Sequence, residues 1–294
     1  MRLAVLGAPD SWYFRDLCRA AGPGTQVVAL PFSRLAAHLG SDKLGFWSVG
    51  TDLDSFDAVL VRTMPPGSLE QVVFRMDVLA RLEAAGTVVI NPPKAVEVAV
   101  DKYLALAKLH AAGMRVPETT VCQTVDDAFQ AFDAFGQDVV VKPLFGSEGR
   151  GLIRVSDQAI AERVFKTLIQ LNAVLYVQRF VPHQGFDLRL LTLGDQVFCM
   201  QRRNVNDWRM NVSRGARAEV YPLTDELADL AQQAARAIGA TFAGIDVLPS
   251  SSGEPYLLEV NAVPGWRALA NTLRIDVADL VLQHAAQLIE ARSA

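Results

Sequence analysis

The sequence predicts an α/β protein, with a mostly parallel sheet in its first part and units of α+β character after it. Three observations carry this expectation. Short apolar runs alternate with helix-period patterns over residues 1–93, which is how parallel strands and their covering helices read. Asn91-Pro92-Pro93 then breaks the chain, because proline restricts the residue before it and cannot continue a strand. Beyond the break, a glycine-rich segment lies between two strand patterns, and a later pair of strands carries acidic residues inside apolar runs.

Taken in order, buried strands are predicted at Leu3–Gly7, Gln26–Leu30, Ala58–Val61 and Thr87–Ile90, with helices at Trp12–Ala20 and Leu69–Ala85. The first turn, Gly7-Ala8-Pro9-Asp10, lacks the GxGxxG spacing, so a standard dinucleotide site is not supported. One helix is expected from Lys94 to Ala112, with Gly113 as its C-cap. Strands follow at Val139–Pro143, Ile153–Val155 and Leu175–Val181, with a helix at Ala159–Leu171. Strands at Asp187–Leu193 and Gln196–Arg202, a helix at Glu226–Ile238 and strands at Gly244–Leu248 and Tyr256–Val260 complete the pattern. In the tail, Val277, Leu280, Val281, His284, Leu288 and Ile289 share one stripe, which predicts a helix docked on the core. The division this suggests is 1–93, 94–182 and 183–294.

Composition narrows the function. The 294 residues are 51% hydrophobic and 20% charged, which excludes disorder and supports a large core. Basic and acidic residues number 28 and 32, a balance that argues against a nucleic-acid binder. Cys18, Cys122 and Cys199 are far apart and odd in number, so neither a disulfide framework nor a zinc site is expected. No run reaches membrane-spanning length and the N-terminus lacks a signal-peptide core, so a soluble, cytoplasmic protein without membrane partners is expected.

Three motifs carry chemistry. Lys142-Pro143-Leu144-Phe145-Gly146-Ser147-Glu148-Gly149-Arg150-Gly151 packs three glycines and a serine into six residues. Their backbone N–H groups can close on an anion. The lysine precedes the glycines, whereas in a P-loop it follows them, so this is a phosphate-binding flap of another kind. Second, Glu259 and Asn261 are two apart on one strand and share a face. Positions 246 and 259 are equidistant from a turn centred between Ser252 and Gly253, so a regular hairpin sets Asp246 across from Glu259. Two carboxylates and an amide oxygen among apolar residues need a cation, and an all-oxygen set suits Mg²⁺. Third, Arg189 follows Asp187 on the same strand face, and Arg202, Arg203, Arg209 and Arg214 crowd one segment with several asparagines. Arginine recognises phosphates and carboxylates with paired donors.

In this order, Lys102, Lys142 with its flap, Gln178–Val181, Asp187-Leu188-Arg189, Arg209-Met210-Asn211, Asp246 and Glu259-Val260-Asn261 resemble the ATP-grasp superfamily. The resemblance is closest to the ribosomal-S6-modification-like α-L-glutamate ligases, and Glu259–Gly265 carries their Glu-Val-Asn-x-x-Pro-Gly ending. It covers nearly the whole chain and implies a Rossmann-like pre-ATP-grasp domain followed by a two-part ATP-grasp fold. It implies ATP held by Lys102, Lys142 and the flap residues Gly146, Ser147, Gly149 and Gly151. Adenine would meet the backbone of Gln178, Arg179, Phe180 and Val181, and Asp187 would hold the ribose or adenine side. Arg209 and Asn211 would contact phosphate or metal. Two Mg²⁺ ions, with Mn²⁺ as a substitute, would sit on Asp246, Glu259 and Asn261, while Arg189, Arg202 and Arg203 steady the transferred phosphoryl group or the acid. A homodimer is also implied.

The chain departs from the family pattern at Arg179, where related ligases often carry glutamate, at Glu148 and Arg150 in the flap, and at Trp266-Arg267. The arginine excess predicts an acidic amino acid, L-glutamate, as one small-molecule substrate. Arg214, Trp266 and Arg267 are the expected substrate residues, with the Trp266 ring stacking on a planar acceptor. A D-alanine- or glutathione-type ligase and a non-catalytic ATP-binding protein are the alternatives. The four histidines show no triad spacing and are expected to be bystanders.

Overall fold

The computed structural model describes residues 1–41, 44–146, 149–212 and 215–293. In chain order the first part contains β1 (Arg2–Leu6), α1 (Trp12–Ala20), β2 (Gln26–Leu30), β3 (Leu35–Leu39), β4 (Leu44–Ser48), β5 (Thr51–Asp52), β6 (Ala58–Val61), α2 (Leu69–Ala84) and β7 (Val88–Ile90). The apolar runs form a parallel sheet in the order β2-β1-β6-β7. All four residues of β6 are buried, as expected of a strand covered on both faces. Ser11 caps α1 by accepting from the Phe14 N–H, and Ser68 and Gln71 form a capping box on α2. The antiparallel sheet β3-β4-β5 was not predicted. Its strands are short and β3 is half-exposed, with Leu39 84% exposed, so neither alternation nor a buried run marks it.

The single helix expected over 94–112 is two helices, α3 (Pro93–Val100) and α4 (Lys102–Ala111). Between them Asp101 is extended and accepts hydrogen bonds from the Tyr103 and Leu104 N–H groups. An aspartate cap stops one helix and starts the next without disturbing apolar periodicity, so the pattern alone runs through it. The break places Lys102 on the first turn of α4. Both helices pack on the last sheet through Ala95, Val98, Ala105 and Leu109.

The middle part holds β8 (Thr119–Cys122), α5 (Val125–Ala134), β9 (Val139–Lys142), β10 (Ile153–Val155), α6 (Gln158–Gln170) and β11 (Leu175–Arg179). Its antiparallel sheet runs β10-β9-β11-β8, and Phe132 and Phe165 from the two helices fill the space beneath it. The last part holds β12 (Phe186–Leu193), β13 (Gln196–Arg203), β14 (Arg217–Val220), α7 (Asp225–Ile238), β15 (Phe242–Pro249), β16 (Pro255–Asn261), α8 (Arg267–Leu273) and α9 (Val277–Ser293). Its five strands are antiparallel in the order β14-β13-β12-β15-β16. The tail docks as expected. Val277, Val281 and Ala285 of α9 join Leu3 and Val5 of the parallel sheet and Leu191 and Phe242 of the last one in a single core. No described helix is long and apolar enough to cross a membrane.

Asn91 clasps the first part to the last. Its side-chain amide donates to the Phe242 and Ala262 carbonyls, both at 2.6 Å, and its oxygen accepts from the N–H groups of Thr241 at 2.8 Å and Phe242 at 2.9 Å. The clasp holds both β15 and the exit of β16. Asn91→Ala removes all four bonds in a buried place, which should cost about 3 kcal/mol. A fall in Tm of roughly 10 °C is expected in thermal denaturation, and an unchanged Tm would show that the clasp carries no weight.

Candidate active site

Register brings distant charges into rows on one face of the five-stranded sheet. Asp246 pairs with Glu259 on one side and with Arg189 on the other, and Asp187 pairs with Arg202. Directly opposed residues of an antiparallel pair share a face, so all five side chains meet. Arg189 Nη1 donates to Asp246 Oδ1 at 2.7 Å. Arg202 forks onto Asp187 through Nε at 2.8 Å and Nη2 at 2.6 Å, and its Nη2 lies 3.0 Å from Asp246 Oδ2. Burial pushes Asp187 up to about 6, with Arg202 opposing it. Burial also works to raise Asp246, but Arg202 and Arg189 outweigh it and hold this carboxyl below its ordinary value. Gly244, beside Asp246, makes room for the pair, because a Cβ there would lie 2.3 Å from Arg189 Nη2.

The predicted opposition of Asp246 and Glu259 is present, but a regular hairpin does not produce it. Pro249 pairs with Pro255 and Val247 with Leu257, a register that would set Asp246 against Leu258. A bulge between Asp246 and Val247 absorbs one residue of β16 and restores the pairing with Glu259. Leu258 and Glu259 therefore both line the cleft, although they are consecutive.

The Glu259 carboxylate has no hydrogen-bond partner among the described residues. Burial and the neighbouring Asp246 raise its pKa, against the pull of Lys102 and Lys142. Burial lowers Lys142 to about 8, and Lys102 adds to the effect while Glu259 opposes it. Burial also lowers Lys102, whose Nζ donates to the Gly146 carbonyl at 2.6 Å at the start of the flap. Gly146, Gly149 and Gly151 all have positive φ, which the glycines allow. Ser147, Glu148 and Arg214 lie outside the described residues.

A cleft with about 740 Å³ of empty space, continuous with solvent, opens over this face. Lys142, Gly149, Gln178–Val181, Asp187, Arg202, Arg209, Asn211, Asp246 and Glu259 line it, so most of the predicted set converges. The hinge backbone is more committed than expected. The Arg179 and Phe180 N–H groups donate to the Glu118 and Asp138 carbonyls at 2.8 and 2.9 Å, and the side-chain amide of Gln178 donates to Thr119 Oγ1. Among the described residues this leaves the Val181 N–H free for a ligand. Arg179 itself points outward to Glu118 in an exposed ion pair. Arg209 forks onto Asp207 at 2.7–3.1 Å.

Two expectations need correction. Arg203 follows Arg202 on β13 and so faces away from the charge row, with its guanidinium over the Phe186 ring at 5.0 Å. Trp266 cannot stack on a substrate, because its side chain is fully buried and its Nε1 donates to Asp16 at 2.9 Å. Arg267 starts α8 over the Trp12 ring and is not among the residues that line this cleft. His183, expected as a bystander, lines the cleft beside Phe180. The apolar lining, Val140, Leu152, Trp208, Met210 and Leu248, was also missed. Two of these were legible, since Val140 and Leu248 lie two residues from Lys142 and Asp246 on the same strands.

A divalent cation fits this donor set. No group of three His, Cys, Asp or Glu side chains converges among the described residues, so a third protein oxygen would come from Asn261. Its Oδ1 accepts one bond, from the Val263 N–H at 2.8 Å, and keeps a lone pair. Asp246 retains lone pairs beyond its two arginine contacts, and Glu259 offers an unengaged carboxylate.

Two antiparallel sheets closing on a charged cleft are the architecture of ATP-grasp enzymes. Residues 99–285 match the RimK-like ATP-grasp domain, and the chain belongs to that family. It is an ATP-dependent, amide-forming ligase. It is 32% identical over 261 residues to a tetrahydromethanopterin:alpha-L-glutamate ligase of Methanosarcina acetivorans, covering 79% of this chain and 80% of the relative. Among solved structures, the RimK domain protein ATP-grasp from Sphaerobacter thermophilus superposes with a TM-score of 0.74 at 27% identity, covering 97% of this chain and 99% of the other. The ATP-grasp ligase PsnB, complexed with a minimal precursor, Mg and ADP, shares the fold with a TM-score of 0.74 at 21% identity, covering 98% of each chain.

Two outcomes are expected. Gly244→Ala should leave the fold intact but displace Arg189 from Asp246, lowering kcat about tenfold or more; a variant with normal kcat would show that the pair is not needed in place. Lys142 has a folded pKa of about 8, below its ordinary 10.5, so between these values the unfolded chain binds more protons and stability gains as pH rises. Lys142→Met should therefore raise the Tm of the unliganded chain at pH 7, and the gain should shrink as pH rises from 8 toward 10.5. A Tm below wild type at pH 7 would contradict the burial cost.

Proposed function

We propose that the enzyme joins L-glutamate to a carboxylate-bearing acceptor through an acyl phosphate. The observation that carries the reading is the unengaged Glu259 carboxylate beside Asp246 and between two lysines of lowered pKa. Such an arrangement is balanced only when a cation and a polyanion arrive together, as Mg²⁺ and ATP do. Asp246, Glu259 and Asn261 would hold Mg²⁺, which supplies charge neutralisation on the phosphates.

Adenine would enter between Val140, Leu248 and Met210 and meet the free Val181 N–H. Lys142 and Lys102 would hold phosphate oxygens, and Lys102 would exchange the Gly146 carbonyl for them as the flap closes. Arg202 and Arg189 keep Asp187 and Asp246 ionised and in place. Arg202 Nη1, unpaired among the described residues, would face the transferred group. A carboxylate oxygen of the acceptor attacks the γ-phosphorus and ADP leaves. The amine of glutamate then attacks the acyl carbon; phosphate departs and the nitrogen gives up a proton. Stabilising charge on the moving phosphoryl group is the main catalytic task, and the flap excludes water that would hydrolyse the acyl phosphate. The glutamate assignment is supported by the name of the archaeal relative.

The test is ADP release with a panel of acids and amino acids, read with product mass. A mass increase of one glutamyl residue is expected, and hydroxylamine in place of the amine should trap the acyl group as a hydroxamate. Glu259→Gln should fold normally and lose about a thousandfold in kcat. Near-normal turnover of that variant in saturating Mg²⁺ would sink the metal assignment, and a product carrying a neutral or basic amino acid, with glutamate inert, would sink the substrate.

A further inference from the structure

A strongly buried cation lies outside the cleft. The parallel sheet runs β2-β1-β6-β7, so the chain leaves β1 to one side for β2 and returns to the other side for β6. Ligands of open α/β sheets bind at the carboxyl ends of the strands where the connections diverge, here between β1 and β6. Arg62 is the residue directly after β6, and its N–H, with that of Thr63, is held by the Leu6 carbonyl at 3.0 and 3.1 Å. Its guanidinium lies between the Tyr13 ring at 4.6 Å and the Trp266 ring at 4.4 Å. The residue is 8% exposed, and its Nε and Nη1 are buried with no hydrogen-bond partner among the described residues. Burial lowers its pKa to about 10.

Packing does not account for this arginine. A buried guanidinium without an acceptor carries an uncompensated desolvation cost, of which cation–π contact recovers only part. An apolar side chain would fill the same slot at lower cost. A second cation stands at the same end: Arg267 lies over Trp12 at 5.3 Å, and Trp12 packs edge-on against Tyr13, the ring beneath Arg62. Arg267 is exposed and has no ion pair among the described residues. The loop that carries Trp266 leaves β16 directly after Glu259 and Asn261, so a short stretch of chain joins Arg62 to the reacting end of the cleft. Gly265 in that loop lies against Tyr13, where a Cβ would come within 2.5 Å of the hydroxyl.

We propose that Arg62, with Arg267 over the neighbouring Trp12 ring, binds a carboxylate of one of the two joined molecules at the switch point between β1 and β6. The proposal rests on the ligase reading only for which molecules are joined. The site itself is defined by two buried donors without acceptors among the described residues.

Calorimetric titration of the full chain with L-glutamate and, separately, with glutarate tests it without turnover. Wild type is expected to bind at least one of them. Arg62→Met should weaken that binding about tenfold to a hundredfold, as loss of charge-assisted bonds does, while its Tm equals or exceeds wild type. Arg62→Lys should restore part of the affinity, and Arg267→Ala, at an exposed position, should weaken the same ligand severalfold with no change in Tm. Binding of L-glutamate alone assigns the site to the amino acid, and binding of both assigns it to carboxylates at large. The proposal is overturned if neither ligand binds the wild type, or if binding survives both Arg62→Met and Arg267→Ala. Failure of the ligase reading shows separately, as absence of ADP release.

Discussion

Two arginines between carboxylates are the constraint from which the site follows. Asp187 and Asp246 stand largely buried on neighbouring strands, and either would be costly as an isolated buried anion. Arg202 bridges both, and Arg189 holds Asp246 from the adjacent strand. Because these contacts run across β12, β13 and β15, they tie strand register to charge. A slip of one residue in any of the three strands would turn a charge into the hydrophobic core. Gly244 belongs to the same constraint, since any side chain there would occupy the place of the Arg189 guanidinium.

The network satisfies two of the three carboxylates and leaves the third to a ligand. Glu259 sits at the end of the row without a hydrogen-bond donor among the described residues, and the lysines that face it come from other parts of the fold. Lys142 ends β9 in the middle sheet, and Lys102 begins α4, which packs on the last sheet. Assembly of the cleft therefore depends on two sheets meeting, and in the proposed function a metal–nucleotide pair completes its charges. Arg62 repeats the logic outside the cleft: a buried cation whose Nε and Nη1 have no acceptor among the described residues.

Much of the architecture was legible because it is periodic. The strands Gln26–Leu30, half-buried where a buried strand was expected, and Ala58–Val61, fully buried, and the helix Trp12–Ala20 coincide with their predicted bounds, since their apolar patterns match a single element each. The misses have a common cause. Asp101 interrupts a helix without altering its apolar spacing, the β3-β4-β5 sheet is too exposed to show a pattern, and β8 is half-buried along its length.

By itself, the sequence determined which residues could carry chemistry: the lysine-led glycine flap, the Glu259-Val260-Asn261 ending and the arginine-rich segment. Local spacing suffices for these, because residues two apart on a strand share a face whatever the strand packs against. Only the tertiary structure decided which of two consecutive arginines enters the site, because that depends on which face of β13 is covered. It decided that a bulge, not a regular hairpin, sets Glu259 against Asp246. It removed Trp266 from the list of substrate residues, since burial is a property of what packs around a ring and not of its neighbours in sequence. It also placed Arg62, unremarkable in a run of apolar residues, at the switch point of the parallel sheet, where strand order puts it between two rings contributed from positions far apart in the chain.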